Sequence, residues 1–300
     1  MSLSIQRHMT GPMVARHIRM ERQSDKSRSI VMVEGGTDIK RFKQYVDNSK
    51  CILVNCWGRP KALEAVSLLQ QKPPAGIIAI LDADFDRMLN RLSKDVRVVY
   101  SDRHDFDLDW ITPDILGLYL EQVGEDSKVV AHGGASAIFD KIVDGLRPIS
   151  SARHLNAKRL IPYKVSHLNA GDYFLNFSVR LDRYIDDLIG KATINEQQKK
   201  ELRVAIESNA QGNHDLLQFT NGHDFHCALG ASLRCELGAR KEAQSYGSEC
   251  ELHFRLVFNN DKFKETKLYK SILSWENTNN GFFVLKDELR PSPSSGKTVQ

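Results

Sequence analysis

The chain has 300 residues, a net charge of +4, and a composition of 41% hydrophobic and 27% charged residues. That length suffices for two domains that each bury a core, and the balance excludes both a fibrous repeat and a wholly disordered chain. The longest apolar run, Gly76 to Leu81, is far shorter than the roughly 20 residues of a membrane span. Five cysteines, an odd number with no CxxC spacing and no secretory leader before them, lead to the expectation of a cytoplasmic protein with reduced thiols and no membrane partner.

Residues 1–28 form a basic segment in which Arg7, Arg16, Arg19, Arg22, Lys26 and Arg28 face only Glu21 and Asp25. A helix over Ile5 to Arg22 is predicted, interrupted at Gly11-Pro12. Ser29 to Val33 is a β-branched apolar run and predicts a strand that stops at Glu34-Gly35-Gly36. Asp38 to Tyr45 has Ile39, Phe42 and Val46 at helical spacing. Cys51 to Cys56 predicts the next strand, and Pro60 opens a helix over Lys61 to Leu69. Ile77 to Leu81 and Val96 to Tyr100 predict two further strands. Strands alternating with helices predict an α/β parallel sheet flanked by helices, with its active crevice at the carboxyl ends of the strands.

Beyond Leu108 the strand pattern fades. Helices are predicted over Asp182 to Ile189, Glu196 to Ser208 and Phe225 to Leu237, whereas Leu252 to Phe258 is open to either element. The predicted organisation is therefore a catalytic α/β domain over 29–120, a mainly helical domain over 121–288 and a Pro/Ser-rich disordered tail over 289–300. Gly296-Lys297-Thr298 in that tail lacks the first glycine, the strand and the helix of a phosphate-binding loop and is rejected as one.

The acidic residues carry the chemistry. Asp82-Ala83-Asp84 follows an apolar strand, and two residues spaced by two in extended backbone point the same way. Glu34 ends another strand and Asp38, four residues on, is placed to cap the following helix or to turn towards the same site. Convergent carboxylates are what Mg²⁺ takes, and a two-metal site stabilises both oxygens of a phosphodiester displacement. Arg59 and Lys61, at a strand-to-helix turn on the same edge, are candidates for steadying phosphate charge. Between Asp144 and Asp172 no carboxylate occurs, while Arg147, Arg153, Lys158, Arg159 and Lys164 do, so Arg153, Lys158 and Arg159 are candidates for nucleic-acid backbone contact. His223-Asp224-Phe225-His226-Cys227 lacks a distant partner pair for zinc, and Asp224 is expected to cap a helix.

Val33-Glu-Gly-Gly-Thr-Asp38, the Gly58-Arg59-x-Lys61 turn, Ile80-Leu-Asp-Ala-Asp-Phe-Asp86 and Asp102-Arg-His-Asp-Phe-Asp107 together resemble the TOPRIM domain. Within that group they look most like the OLD-like branch and the small stand-alone TOPRIM nucleases of PARIS-type phage-defence loci. The resemblance covers about the first 110 residues. It implies Glu34 as general acid/base or metal ligand, Asp82 and Asp84 as metal ligands, Asp38 as the additional acidic position, and Mg²⁺ or Mn²⁺ as cofactor. Asp86 is a further candidate ligand, as are Asp105 and Asp107. The implied activity is phosphodiester cleavage by a toxic RNase, with tRNA as candidate substrate, in a homodimer controlled by an ABC-type ATPase of the AriA kind. Two alternatives stand beside it. In a DxD phosphatase of the haloacid dehalogenase type, Asp82 is the nucleophile and Glu34 has no role. In a TOPRIM-like nucleic-acid- or ATPase-binding protein there is no catalysis.

Overall fold

The computed structural model describes residues 8–70, 74–190, 195–238 and 246–291. In chain order the elements are α1 (Gly11–Ser24), β1 (Ser29–Val33), α2 (Gly36–Phe42), β2 (Cys51–Asn55), α3 (Arg59–Leu68), β3 (Ile77–Leu81) and β4 (Val98–Tyr100). A helical stretch follows: α4 (Phe106–Asp109), α5 (Pro113–Val123), α6 (Asp126–Ala131), α7 (Gly134–Gly145) and α8 (Arg147–Ala157). A two-stranded hairpin, β5 (Phe174–Leu175) and β6 (Ser178–Val179), precedes α9 (Leu181–Ile189), α10 (Glu196–Ala210), α11 (Leu216–Phe219) and α12 (Gly222–Ser232). The last helices are α13 (Tyr246–Val257), α14 (Asn260–Glu265) and α15 (Lys267–Thr278). No helix among the described residues is long and apolar enough to cross a membrane.

These elements fall into two compact units. The sheet unit comprises 1–82, 92–102 and 259–300, and the helical unit comprises 83–91 and 103–258. The units divide the chain at points other than the expected boundary near residue 120. Residues 83–91, just after β3, belong to the helical unit, and the last 42 residues belong to the sheet unit. Of the tail expected to be disordered over 289–300, Leu289 is buried and Arg290 pairs with Glu276, so order extends further than expected; the residues beyond Pro291 lie outside the described ones.

In the sheet unit, four parallel strands run in the order β2–β1–β3–β4. The inner strands β1 and β3 are buried at every position, as continuous apolar runs covered on both faces require. Alternation sends Ile30, Met32, Ile77, Ala79 and Leu81 to one face, where Val14, Ala15 and Ile18 of α1 and Ala62, Ala65 and Val66 of α3 close a single core. Pro12 does not interrupt α1. It sits in the first turn, where its missing N–H costs nothing, and Thr10 provides the cap. The returning C-terminal segment is tied in by the stack of Tyr45 on Phe263 at 4.0 Å and by an isolated bridge between Val46 and Leu285. Gly76, at φ +68°, opens β3 beneath Phe282, where any Cβ would overlap the ring.

In the helical unit, α12 is central and almost wholly buried. Asn221, not Asp224, caps it, since the Asp224 N–H donates to Asn221 Oδ1 at 3.2 Å. Asp224 is itself fully buried and forms a two-pronged ion pair with Arg153. Leu252 to Phe258 resolves as the end of α13, followed by Phe258, whose ring stacks on Trp110 at 5.2 Å. His154 of α8 lies among Phe85, Phe219 and His214 at centroid distances of 5.2, 5.6 and 5.5 Å.

Burial holds the His154 imidazole below its ordinary value. Lys158 and His214 act in the same direction and the Asn209 side chain acts against them. An unfolded histidine titrates near 6.5, so this group's contribution to stability is complete above that pH and is lost as pH falls through it towards the lower folded value. Urea unfolding should therefore show a less stable protein at pH 5.5 than at pH 7.5. His154→Phe should shrink that difference, and an undiminished difference would show that other groups control it.

Candidate active site

Glu34 is the first residue after β1, and the strand order places the ends of β2 and β3 on either side of it. Towards β2, the Glu34 carbonyl accepts the Gly58 N–H at 2.8 Å. Towards β3, Glu34 Oε1 accepts the backbone N–H of Asp82 at 2.9 Å. From β1 the sheet grows to β2 on one side and to β3 and β4 on the other, so its order reverses between β1 and β3. In open α/β sheets a ligand crevice lies beyond the carboxyl ends of the strands at such a reversal. Glu34 and Asp82 stand at that point.

Arg59, the first residue of α3, donates from Nη1 to the Asp82 carbonyl at 3.2 Å, and Lys61 is half-buried in the same first turn. Arg59 is thus held at the end of β3 through the Asp82 backbone. The turn that presents Arg59 is held in left-handed backbone: Trp57 has φ +61° and Gly58 φ +118°. Glycine adopts this readily, whereas for tryptophan it is a strained conformation, stabilised here by the Trp57 N–H donating to Asn55 Oδ1 at 2.8 Å. Trp57 was not among the expected site residues. Its signal was the Trp-Gly pair directly after a strand. Nearby, burial and then the neighbouring Glu34 push the Cys56 thiol up to about 12, which leaves it a protonated core group and no nucleophile.

Asp38 departs from its expected role as a ligand. Its Oδ2 accepts the Gly35 N–H at 3.0 Å and its Oδ1 pairs with Arg41 at 2.8 Å, with the residue 7% exposed. Both oxygens serve the start of α2, the capping role that its position also allowed. The extended geometry expected for Asp82-Ala83-Asp84 is absent as well. β3 ends at Leu81, Ala83 is helical at φ −74°, and Asp84 takes φ +43° at the start of a 3₁₀ turn through Asp86. Period-two alternation therefore does not aim the two carboxylates together.

Asp84 and Asp86 belong to the helical unit, whereas Glu34, Asp38 and Asp82 belong to the sheet unit. The Asp84 N–H donates to the His104 carbonyl at 2.6 Å, and its Oδ1 lies 3.6 Å from His104 Nε2. His104 Nδ1 is 2.9 Å from the Gln218 carbonyl, which only accepts, so that nitrogen carries a proton. Asp105 is a buried structural group. Its oxygens accept the N–H groups of Leu108 and Gly222, each at 2.8 Å. Burial, then Asp107 and Asp84, push its carboxyl well above the usual range, against the pull of those two donors. Asp102, in the sheet unit, caps α15 through the N–H groups of Lys267 and Leu268.

Arg153 is withdrawn from the expected phosphate-contact set. Its guanidinium is spent on Asp224 and on the carbonyls of Val165 and Leu168. Lys158 and Arg159 are exposed, as that role requires. An apolar groove of about 350 Å³ in the helical unit, lined by Leu118, Tyr119, Phe254 and Leu256 among others, has no acidic side chain in its lining.

Among the described residues, no group of three or more His, Cys, Asp or Glu side chains is arranged to hold a metal ion. Mg²⁺ keeps most of its coordination shell as water and is commonly held by one or two carboxylates. The oxygen donors Glu34 and Asp82 fit that mode and do not make a closed protein cage. The chain matches no known family model and no curated protein sequence.

Asp38 and Glu34 should separate in their effect on folding. Asp38→Ala removes a buried ion pair with Arg41, whose side chain is 3% exposed, together with the bond to the Gly35 N–H, and should lower stability by about 3 kcal/mol in urea unfolding. Glu34→Gln keeps an oxygen for the Asp82 N–H and should change stability by less than about 0.5 kcal/mol. Equal losses in the two variants would remove the distinction.

Proposed function

We propose that the chain is a Mg²⁺- or Mn²⁺-dependent nuclease whose working carboxylates are Glu34 and Asp82. The observation that carries this reading is the hydrogen bond from the Asp82 backbone N–H to the Glu34 carboxylate, which joins the ends of β1 and β3 at the reversal of strand order, with Arg59 bonded to the Asp82 backbone carbonyl. That position is where an α/β sheet binds its ligand, and a carboxylate pair beside a fixed cation suits an anionic phosphodiester.

A divalent cation bound there would supply charge stabilisation for both the attacking and the leaving oxygen. Glu34 and Asp82 would hold it. Glu34, with one oxygen anchored by the Asp82 N–H, is the base within reach of an incoming water and takes its proton. Arg59, fixed through the Asp82 carbonyl, and Lys61 in the same turn supply the positive charge that would steady a phosphate. The contact between Glu34 and Asp82 favours this chemistry over a DxD phosphatase, in which Glu34 has no part.

The likeness of the motifs to AriB, the effector nuclease released by the ATPase AriA in the PARIS phage-defence system, extends the proposal. On that ground the substrate is RNA, with tRNA as the candidate, and the chain acts as a toxic effector, homodimeric and restrained by an ABC-type ATPase partner. That extension rests on the motifs alone.

Expression of the wild-type chain in cells, with sequencing of the RNA and DNA ends that appear, should reveal new ends that vanish with Glu34→Gln. The purified chain should cleave with Mg²⁺ or Mn²⁺ and lose activity in excess chelator. Undiminished cleavage by Glu34→Gln, or in chelator, would overturn the proposal. A phosphatase would hydrolyse phosphomonoesters and depend on Asp82 but not on Glu34.

A further inference from the structure

The helical unit carries a set of cations that the site chemistry leaves unused. Lys158 and Arg159 follow the last turn of α8, Lys164 lies five residues beyond Arg159, and all three are exposed. Arg91 joins them from a separate segment: its Nη1 donates to the Ala157 carbonyl at 3.3 Å, which sets its guanidinium at the same end of α8. None of the four is ion-paired to a described residue. Elsewhere in this unit the half-buried Lys128, Lys199 and Arg203 are ion-paired, on Glu125, on Asp186, and on Asp182 and Glu207, whereas Lys141, Arg180, Arg183 and Lys200 are exposed and, like the four, have no ion pair to a described residue. Like charges gathered without counter-charges repel one another, so the arrangement costs stability unless an anion is received.

The loop that bears these charges is pinned from beneath. Arg159 sits at φ +59°, and its N–H donates to the Asn156 carbonyl at 2.8 Å. The Asn156 side chain donates to the Tyr163 and Ile161 carbonyls at 2.7 and 3.4 Å. Arg153, anchored on buried Asp224, donates to the carbonyls of Val165 and Leu168. Ile161 and Val165 are buried while Leu160 is 61% exposed. Order is therefore built into the loop before any partner arrives, which spares the partner that cost. The residues 83–91 that end in Arg91 also carry Asp84 and Asp86, and their Phe85 packs on His154, one turn of α8 before Lys158. Within one unit, the cation set and the acidic turn share a support.

We infer that Arg91, Lys158, Arg159 and Lys164 form a contact surface for the phosphodiester backbone of a nucleic acid. The inference deepens the nuclease proposal by naming where its substrate lies, and it rests on that proposal for the choice of nucleic acid over another polyanion. Arg91 and Lys158 also stand where cations complement the carbonyl end of a helix, and a role confined to that would alter folding alone.

Binding can be separated from cleavage with the full chain bearing Glu34→Gln and a fluorescent single-stranded RNA of 20 or so nucleotides, followed by anisotropy across a salt series. Arg91→Gln, Lys158→Gln, Arg159→Asn and Lys164→Gln together keep donors where the loop uses them and tolerate the left-handed position. Each cation withdrawn from a phosphate should flatten the dependence of log affinity on log salt by about 0.7, so the four should reduce the slope by about 3. The weakening should be the same for RNAs of unrelated sequence. A folded quadruple variant with an unchanged slope, or a Glu34→Gln chain that binds neither RNA nor DNA in low salt, would overturn the inference. If the quadruple variant does not fold, Lys164→Glu alone, away from the helix end, should flatten the slope, and no change there would overturn it equally. The nuclease proposal fails by a different sign, absence of cleavage in a wild-type chain that binds.

Discussion

Two adjacent parallel strands, β1 and β3, buried on both faces, are the constraint on which the sheet unit depends. Such strands exclude charged side chains along their length, the small Ser29 at the start of β1 being their one polar residue, so a carboxylate can first stand just beyond their ends. Val33 is followed at once by Glu34, and Leu81 by Asp82. For these two strands the carboxylates stand at that edge because the interior excludes them. The hydrogen bond from the Asp82 N–H to Glu34 then ties the two strand ends together at their first free positions.

The same constraint explains how much could be read from the residues alone. All four strands were legible because apolar β-branched runs of strand length have few other uses, and the parallel sheet followed from the helices between them. Glu34, Asp82 and Arg59 were legible because they sit immediately outside those runs. Helix starts were less so: Gly11-Pro12 reads as a break, yet proline in a first turn marks a beginning when a residue such as Thr10 caps it.

What escaped was decided by buried partners and backbone geometry that spacing does not encode. Arg153 lies in a basic stretch and reads as a surface cation, but its partner Asp224 is 71 residues away and buried. Asp38 reads equally as ligand or cap, and only the nearby buried Arg41 decides between them. The DxD spacing promised a shared direction for two carboxylates, and a left-handed Asp84 withdrew it. Spacing rules hold while the backbone stays regular, and functional loops are where it does not.

The interleaving of the two units has a consequence for biosynthesis. The sheet unit is assembled from segments made first and segments made last, with nearly all of the helical unit translated between them. Tyr45 waits for Phe263, and Cys51 for Val284, whose carbonyl its thiol reaches. At roughly 5–20 residues per second a ribosome spends on the order of ten seconds on the intervening stretch. During that interval these contacts are missing, so the sheet unit reaches its final packing only once its last helices have been made.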